Sequence, residues 1–409
     1  MFTGIKLLTM NLADVFPPNG RDQPLHCDRC GKAMGLVFKD FHENVSGVDI
    51  TIRGLPHLRC DDCGQDYLPG KSRFAIIEHH RRATENGVTQ VNVTRRKLST
   101  EFGFTTVRFL YDPDDYYYIP GLVREFNIGF LTPVFFNRRV LLKYDASPDY
   151  EVRFASPTYG TIVGPDELLI SFGINKNGKV IMWLGDIAKL PEAEQYYLLS
   201  ENIESDHSIG SEFYDGQIEC VFTEPPAETK LFALRSDFVE ACFKRLGTKV
   251  AHLDEEVLEL AASFNPPMVD TEKERRHVAD TLNKIYIESF DNGALGKALK
   301  GLGGDPSSLG SLKRLQAVLE RVMSGHDIAT LLSPFFTLYD LRVAYSHLTS
   351  AESAAEILKT VTDRLALPEG SGLLTIYNRL LESLATSFQA LTNAIKPPNP
   401  AADAVDAKE

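Results

Sequence analysis

The 409-residue sequence predicts a multidomain α+β protein, and three observations carry that expectation. Two Cys-x-x-Cys-Gly pairs fall within residues 25–70. Residues 101–250 are β-rich and aromatic, with short apolar runs set between turn residues, the pattern of strands. Residues 251–396 change to apolar stripes at three- and four-residue spacing, the pattern of helices packed into a bundle. The length suits two or three domains rather than one. The expected order is an N-terminal arm (1–24), a four-cysteine ribbon (25–70), a basic helix and linker (71–100), a β-rich α+β central domain (101–250), an all-α bundle (251–396) and a disordered tail (397–409).

Composition narrows the function classes. Hydrophobic residues make up 43% and charged residues 24%, ordinary values for a soluble globular chain. The net charge of −13 leaves no global basic footprint, so a nucleic-acid site has to be local. Met1 to Leu12 holds one lysine and no small-residue cleavage site, which does not match a secretory signal. No apolar run reaches membrane-span length. A cytoplasmic protein is expected.

Cys27-Asp-Arg-Cys30-Gly31 and Cys60-Asp-Asp-Cys63-Gly64 are separated by 29 residues. A two-residue gap lets both thiolates of a pair reach one ion, and two such pairs supply zinc's four tetrahedral ligands. The glycine after each pair permits the tight turn behind it. Between the pairs Val48, Ile50 and Ile52 alternate with polar residues, as in a half-buried strand. A four-cysteine zinc ribbon follows, with a structural ion because four thiolates leave no open position for water. His26 and His57 are not needed as ligands. The stretch Gly47-Val-Asp-Ile-Thr-Ile-Arg-Gly-Leu-Pro-His-Leu-Arg-Cys-Asp-Asp-Cys-Gly-Gln-Asp-Tyr67 resembles the bacterial YgiT-type zinc fingers, over about residues 25–75. That resemblance implies a link with toxin–antitoxin operons, where the ribbon often precedes a helix-turn-helix. No helix-turn-helix pattern follows here.

Ser72 to Thr84 reads as a helix and Gln90 to Thr94 as a strand. From Lys71 to Lys97, seven basic residues face two glutamates, a local excess of five. Arg81, Arg82, Arg95, Arg96 and Lys97 are the candidate substrate-binding residues, able to grip phosphates. The competing reading is a solvated helix face and linker.

In the central domain, Leu168 to Ile174 and Val180 to Leu184 flank an Asn-Gly turn and predict a hairpin. Pro133 to Phe136 and Val140 to Leu142 are further strand candidates, and Leu190 to Glu201 is helical. Asp112 to Gly121 reads as a loop entering a strand. Asp186, Asp206, His207 and Glu212 form a polar concentration that suits acid–base or metal chemistry, or simply a surface loop.

The bundle's helices are expected over 255–264, 272–290, 309–322, 328–348, 351–365 and 373–395, with Pro334 inside the fourth. Thr349 and Glu352 predict a capping box, placing His347 in the last turn before it. Arg342 is then an ion-pair partner, of Asp340 or of a neighbouring helix, or a functional group. Leu341-Arg-Val-Ala-Tyr-Ser-His-Leu348, in a C-terminal bundle, resembles the Arg-x4-6-His motif of HEPN (higher eukaryote and prokaryote nucleotide-binding) domains. The resemblance carries over Arg342 and His347 alone. Many members have Asn, Asp or His after the arginine, where this chain has Val343.

That resemblance implies a metal-independent endoribonuclease of toxin or phage-defence type. It would act as a homodimer on RNA, under an antitoxin or a phage-derived trigger. At about 100° per residue, Arg342 and His347 stand roughly 140° apart around the helix, so convergence on one phosphate requires two copies across a twofold axis. The alternative is a non-enzymatic zinc-ribbon regulator that binds nucleic acid or protein and uses the bundle only to dimerise.

Overall fold

The computed structural model describes residues 9–15, 24–120, 122, 127–165, 168–221 and 224–395. Most of the expected N-terminal arm and the whole tail 397–409 lie outside the described residues. The chain is mixed α+β and divides into two compact units, Met1–Glu224 and Pro225–Glu409.

The first unit contains two sheets. β1 (Thr9–Met10), β2 (Gly35–Val45), β3 (Val48–Arg59) and β4 (Asp66–Tyr67) lie in that order in one of them. Helix α1 (Gly70–Glu85) leads to β5 (Gln90–Thr94), which pairs in parallel with β3. The long hairpin β2–β3 turns through Ser46 and Gly47. Both have positive φ, and Asn44 Oδ1 accepts from Gly47 N at 3.1 Å. One hairpin face buries Phe41, Val45, Val48, Ile50, Ile52 and Leu55 against Ile76 and Ala83 of α1. The period-two stripe of β3 therefore faces the 3.6-period stripe of α1.

The second sheet follows the short helix α2 (Pro113–Tyr117). Its strands are β6 (Pro133–Phe136), β7 (Glu151–Ser156), β8 (Tyr159–Val163), β9 (Leu169–Ile174), β10 (Val180–Trp183) and β11 (Asn202–Ile203), with α3 (Leu142–Ala146), α4 (Leu184–Ile187) and α5 (Glu192–Glu201) among them. The order β11-β6-β10-β9-β8-β7 is antiparallel throughout. The expected hairpin is β9–β10, closed by Asn175, whose Oδ1 accepts from the amides of Asn177 and Lys179 at 3.0 Å each. Val140–Leu142 is not a strand. Arg138–Leu141 forms a 3-10 turn that runs into α3, because three apolar residues are too few to set a period and tertiary burial decides. Within the expected loop, Pro113–Tyr117 is a helix. Asp112 caps α2 and Pro113 opens it, a favourable pairing of N-cap acceptor and N1 proline.

The ribbon and the second sheet share a core. Leu25, Cys27, Met34, Leu36, Leu58 and Cys60 pack with Ile119, Phe135, Ile181, Trp183, Ile209, Phe213 and Tyr214. Leu36 N donates to His207 O at 3.0 Å, and α6 (Glu212–Tyr214) contributes the last two aromatics.

The second unit is helical: α7 (Ala227–Leu246), α8 (Asp254–Ala262), α9 (Glu272–Asn283), α10 (Asn292–Gly301), α11 (Ser311–Val322), α12 (Ile328–Ser346), α13 (Ala351–Arg364) and α14 (Leu373–Ile395). α7 lies within the 101–250 segment yet belongs to this unit, where its buried Leu231, Phe238 and Cys242 join the helical core. α10 is a helix the sequence did not reveal, since its glycines interrupt the stripe that Leu295 and Leu299 begin. Phe388 of α14 is central to this core, with ring centroids of Phe335, Phe238 and Tyr286 at 5.0, 5.7 and 6.0 Å. α12 runs through Pro334 and ends at Ser346. The N-cap of α13 is Ser350, not Thr349, and its hydroxyl accepts from Ser353 N at 3.2 Å. Both residues are good caps, so the sequence left a one-residue ambiguity. Among the described residues no helix is long and apolar enough to cross a membrane.

Candidate functional site

The two cysteine pairs are built identically. Cys27 N donates to Lys32 O at 2.9 Å and Gly31 N to Cys27 O at 2.8 Å. Cys60 N donates to Gln65 O and Gly64 N to Cys60 O at the same two distances. Gly31 and Gly64 adopt φ of +71° and +73°, a region that favours glycine. The four Sγ atoms lie within 4.8 Å of one another, with Cys30–Cys60 at 3.4 Å and Cys27–Cys63 at 3.6 Å. They can hold a single metal ion. A tetrahedral zinc shell with bonds of about 2.3 Å sets sulfur–sulfur separations near ~3.8 Å, so the geometry fits.

The electrostatics agree. Burial opposes ionising Cys27, but the Tyr67 hydroxyl and the Arg29 and Cys30 amides outweigh it and bring the thiol to about 6. At Cys30 the Lys32 amide favours the thiolate, yet the crowded sulfurs and burial drive it up to about 12. A cation is what allows all four to ionise together. His26 and His57 stay outside the cluster: His26 Nε2 pairs with Asp215 Oδ1 at 2.6 Å, and His57 Nδ1 bonds Leu55 O at 2.8 Å.

The five candidate substrate-binding residues are unequal. Arg81 pairs with Glu78 at 2.7 Å and Glu85 at 2.5 Å, and Arg82 pairs with Glu78 at 2.6 Å. Arg95 is largely buried and pairs with Asp114, whose side chain is fully buried. Lys97 Nζ lies 3.0 Å from Asp112 Oδ2, and Arg96 is exposed. The local positive excess is therefore largely answered by carboxylates, including two that lie outside the basic segment.

Those two belong to a second polar cluster. α2 and its N-cap present Asp112, Asp114 and Asp115, all buried. Asp115 accepts from His207 Nδ1 at 2.8 Å and from Ser205 Oγ at 2.6 Å. His207, at φ +59°, also sets its ring against Phe38 at 5.1 Å, and the Arg95 guanidinium lies 4.8 Å from that same phenyl ring. Burial works to lower the His207 pKa, but the Asp115 contact outweighs it and raises it. Burial pushes Asp115 up as well, despite His207. A carboxylate on Nδ1 fixes the tautomer and leaves Nε2 for proton exchange. The sequence named His207 but not Asp115. The Asp-Pro pairing at the helix start was the available signal.

The other central candidates do not join this pair. Asp206 accepts from Asn175 and Asn177 at the β9–β10 turn. Glu212 holds the β7–β8 turn through Ser156 Oγ at 2.7 Å and Thr158 N at 2.8 Å. Asp186 pairs with Lys189 at 2.6 Å.

In the helical unit, Arg342 is anchored on α12. Its Nε donates to Asp280 Oδ1 at 3.2 Å, and Nη2 lies 3.5 Å from Glu288 Oε1. Asp340 pairs with Arg364 instead, at 2.6 Å. His347 is the exposed C-cap of α12, its amide donating to Val343 O at 3.3 Å. It lines a cleft of about 570 Å³ with Arg275, Arg276, Tyr345 and Ser346. Arg275 is paired with Asp270 at 2.5 Å and Arg276 with Glu272. Arg342 does not line this cleft. Within the chain, Arg342 thus meets Asp280 and Glu288, while His347, just past the end of α12, lines the cleft.

No protein family, no curated protein and no solved structure matches this chain.

Proposed function

We propose that this chain is a metal-independent endoribonuclease of toxin or phage-defence type, acting as a homodimer through its helical unit, with zinc as a structural ion in the four-cysteine cluster. The observation that carries the reading is the exposed His347 imidazole at the end of α12, on the wall of a cleft it shares with two arginines. An imidazole can take the proton from a ribose 2′-hydroxyl and return one to the leaving oxygen. Arg342, held at Nε by Asp280 and facing Glu288 through Nη2, offers its remaining guanidinium donors to a phosphate brought by the second protomer and stabilises its developing charge. Arg275 and Arg276 line the RNA path, and each would have to trade its carboxylate partner, Asp270 or Glu272, for a phosphate.

The test is cleavage of RNA in EDTA, with metal analysis confirming that the protein retains its zinc. Wild type cleaves, and Arg342→Ala and His347→Ala each lose about 10²–10⁴-fold, the range for removing an acid–base group. Wild type without activity on any RNA, with or without candidate triggers, supports the non-enzymatic regulator instead. A second reading rests on Asp115–His207, whose buried carboxylate orients a partly exposed imidazole for acid–base chemistry. Activity lost in His207→Ala and Asp115→Asn but kept in His347→Ala would move the chemistry to the first unit.

A further inference from the structure

Arg235 of α7 is 4% exposed, and Asp254, the carboxylate that attracts it, pairs with Lys249 instead. Its Nε donates to Ser289 Oγ at 3.3 Å, and its Nη2 is buried with no hydrogen-bond partner. The Phe232 ring lies 5.6 Å from the guanidinium carbon. A buried guanidinium without a counter-charge is costly, because the lost hydration is not replaced. Burial accordingly lowers its pKa.

Arg235 also lines a pocket of about 560 Å³ with Phe232, Val239, Phe243, Lys249 and Leu258. Phe243 and Leu258 are 52% and 55% exposed, so the pocket carries an apolar lip open to solvent. The other charges on its walls are already matched: Lys249 pairs with Asp254, and Glu240 with Lys244 at 2.5 Å. Asp254 and Glu240 also line the pocket, and Asp254 attracts Arg235 from beyond ion-pair distance, but the guanidinium Nη2 itself has no hydrogen-bond partner beside the apolar wall.

We infer that this pocket binds a small monocarboxylate with an apolar body, the carboxylate answering Arg235 and the body lying against Phe232, Val239, Phe243 and Leu258. The guanidinium fork matches the two oxygens of a carboxylate. Glu240 and Asp254 on the walls oppose a second negative charge, which selects a monoanion over a phosphate monoester. The volume is that of a small-ligand pocket. This site lies apart from the residues assigned to RNA cleavage and does not depend on that assignment.

The experiment is calorimetric titration of the full, zinc-loaded chain with decanoate, decanol and decyl phosphate. Decanoate is expected to bind one per chain, at least tenfold tighter than either of the others. Arg235→Met replaces the buried charge with an apolar chain of similar length, so it should fold and bind decanoate no better than decanol. Leu258→Glu changes only an exposed lip residue and should weaken decanoate by repulsion without altering the melting temperature by more than a degree or two. Equal binding of decanoate and decanol overturns the inference, as does undiminished decanoate binding by either variant. Preference for decyl phosphate identifies a phosphate site and overturns it as stated. No heat with any of the three overturns it outright.

Discussion

Zinc removal should unfold more than the ribbon. Cys27 is 2% exposed and Cys60 0%, and both belong to the core that holds Trp183, Phe213 and Tyr214 of the central sheet. Structural zinc in small domains contributes about 10–16 kcal/mol of apparent binding free energy. Whole domains are stable by only about 5–15 kcal/mol. Losing the ion therefore removes as much free energy as the first unit has to spare, and what the cysteines leave is four crowded thiols in an apolar core. Trp183 is the chain's single tryptophan, 1% exposed and stacked on Phe213 at 4.8 Å, so its fluorescence reports this core alone. Stripping the ion with a thiol-specific mercurial, with zinc release followed colorimetrically, should shift Trp183 emission to the red in step with zinc loss. Thiol and zinc should restore it. Stoichiometric release with unchanged emission and near-ultraviolet dichroism would refute the shared-core reasoning, and much less than one zinc per chain would refute the ion itself.

Three other outcomes follow from the geometry. Asp114→Ala should cost about 3–5 kcal/mol in denaturant unfolding because it strands the largely buried Arg95, whereas replacing both partners with apolar residues should cost far less. His207 has a folded pKa raised above its ordinary 6.5, so its link to Asp115 stabilises fully below that value and is lost as pH rises through the folded one. The stability difference between wild type and His207→Gln should therefore shrink as pH rises through that window, and a pH-independent difference counts against an ionised pair. Phe388→Ala should cost about 3–5 kcal/mol, since it empties the point where Phe238, Tyr286 and Phe335 meet, and a loss below about 1 kcal/mol would contradict that packing.

What the sequence revealed was local. The cysteine spacing, the Asn-Gly turn and the helical stripes of α12 and α14 are short-range patterns, and the four-cysteine cluster, the β9–β10 hairpin and the helices appear where those patterns lie. What it did not reveal was pairing at a distance. Asp115 meets His207 across 92 positions, and Arg342 meets Asp280 across 62. Arg95 looked like a phosphate ligand because its charge was visible and its buried partner Asp114 was not. The ribbon read as a separate module because periodicity says which face of β3 is apolar, not that Leu58 of β3 and Leu36 of β2 would pack with Phe135 and Trp183. α10 was lost for a different reason: Gly293, Gly296 and Gly301 mimic a loop where Asp291 in fact caps a helix.

The central claim is a composite site, Arg342 from one protomer with His347 of the partner subunit, and subunit mixing tests it most directly. Arg342→Ala and His347→Ala proteins, each inactive alone, would be mixed, allowed to exchange subunits and assayed on RNA in EDTA. A mixed dimer carries one site with both substitutions and one with neither, so the account predicts cleavage that neither variant shows by itself. A mixture that exchanges subunits and stays inactive, or a wild-type protein that cleaves as a monomer, would contradict it.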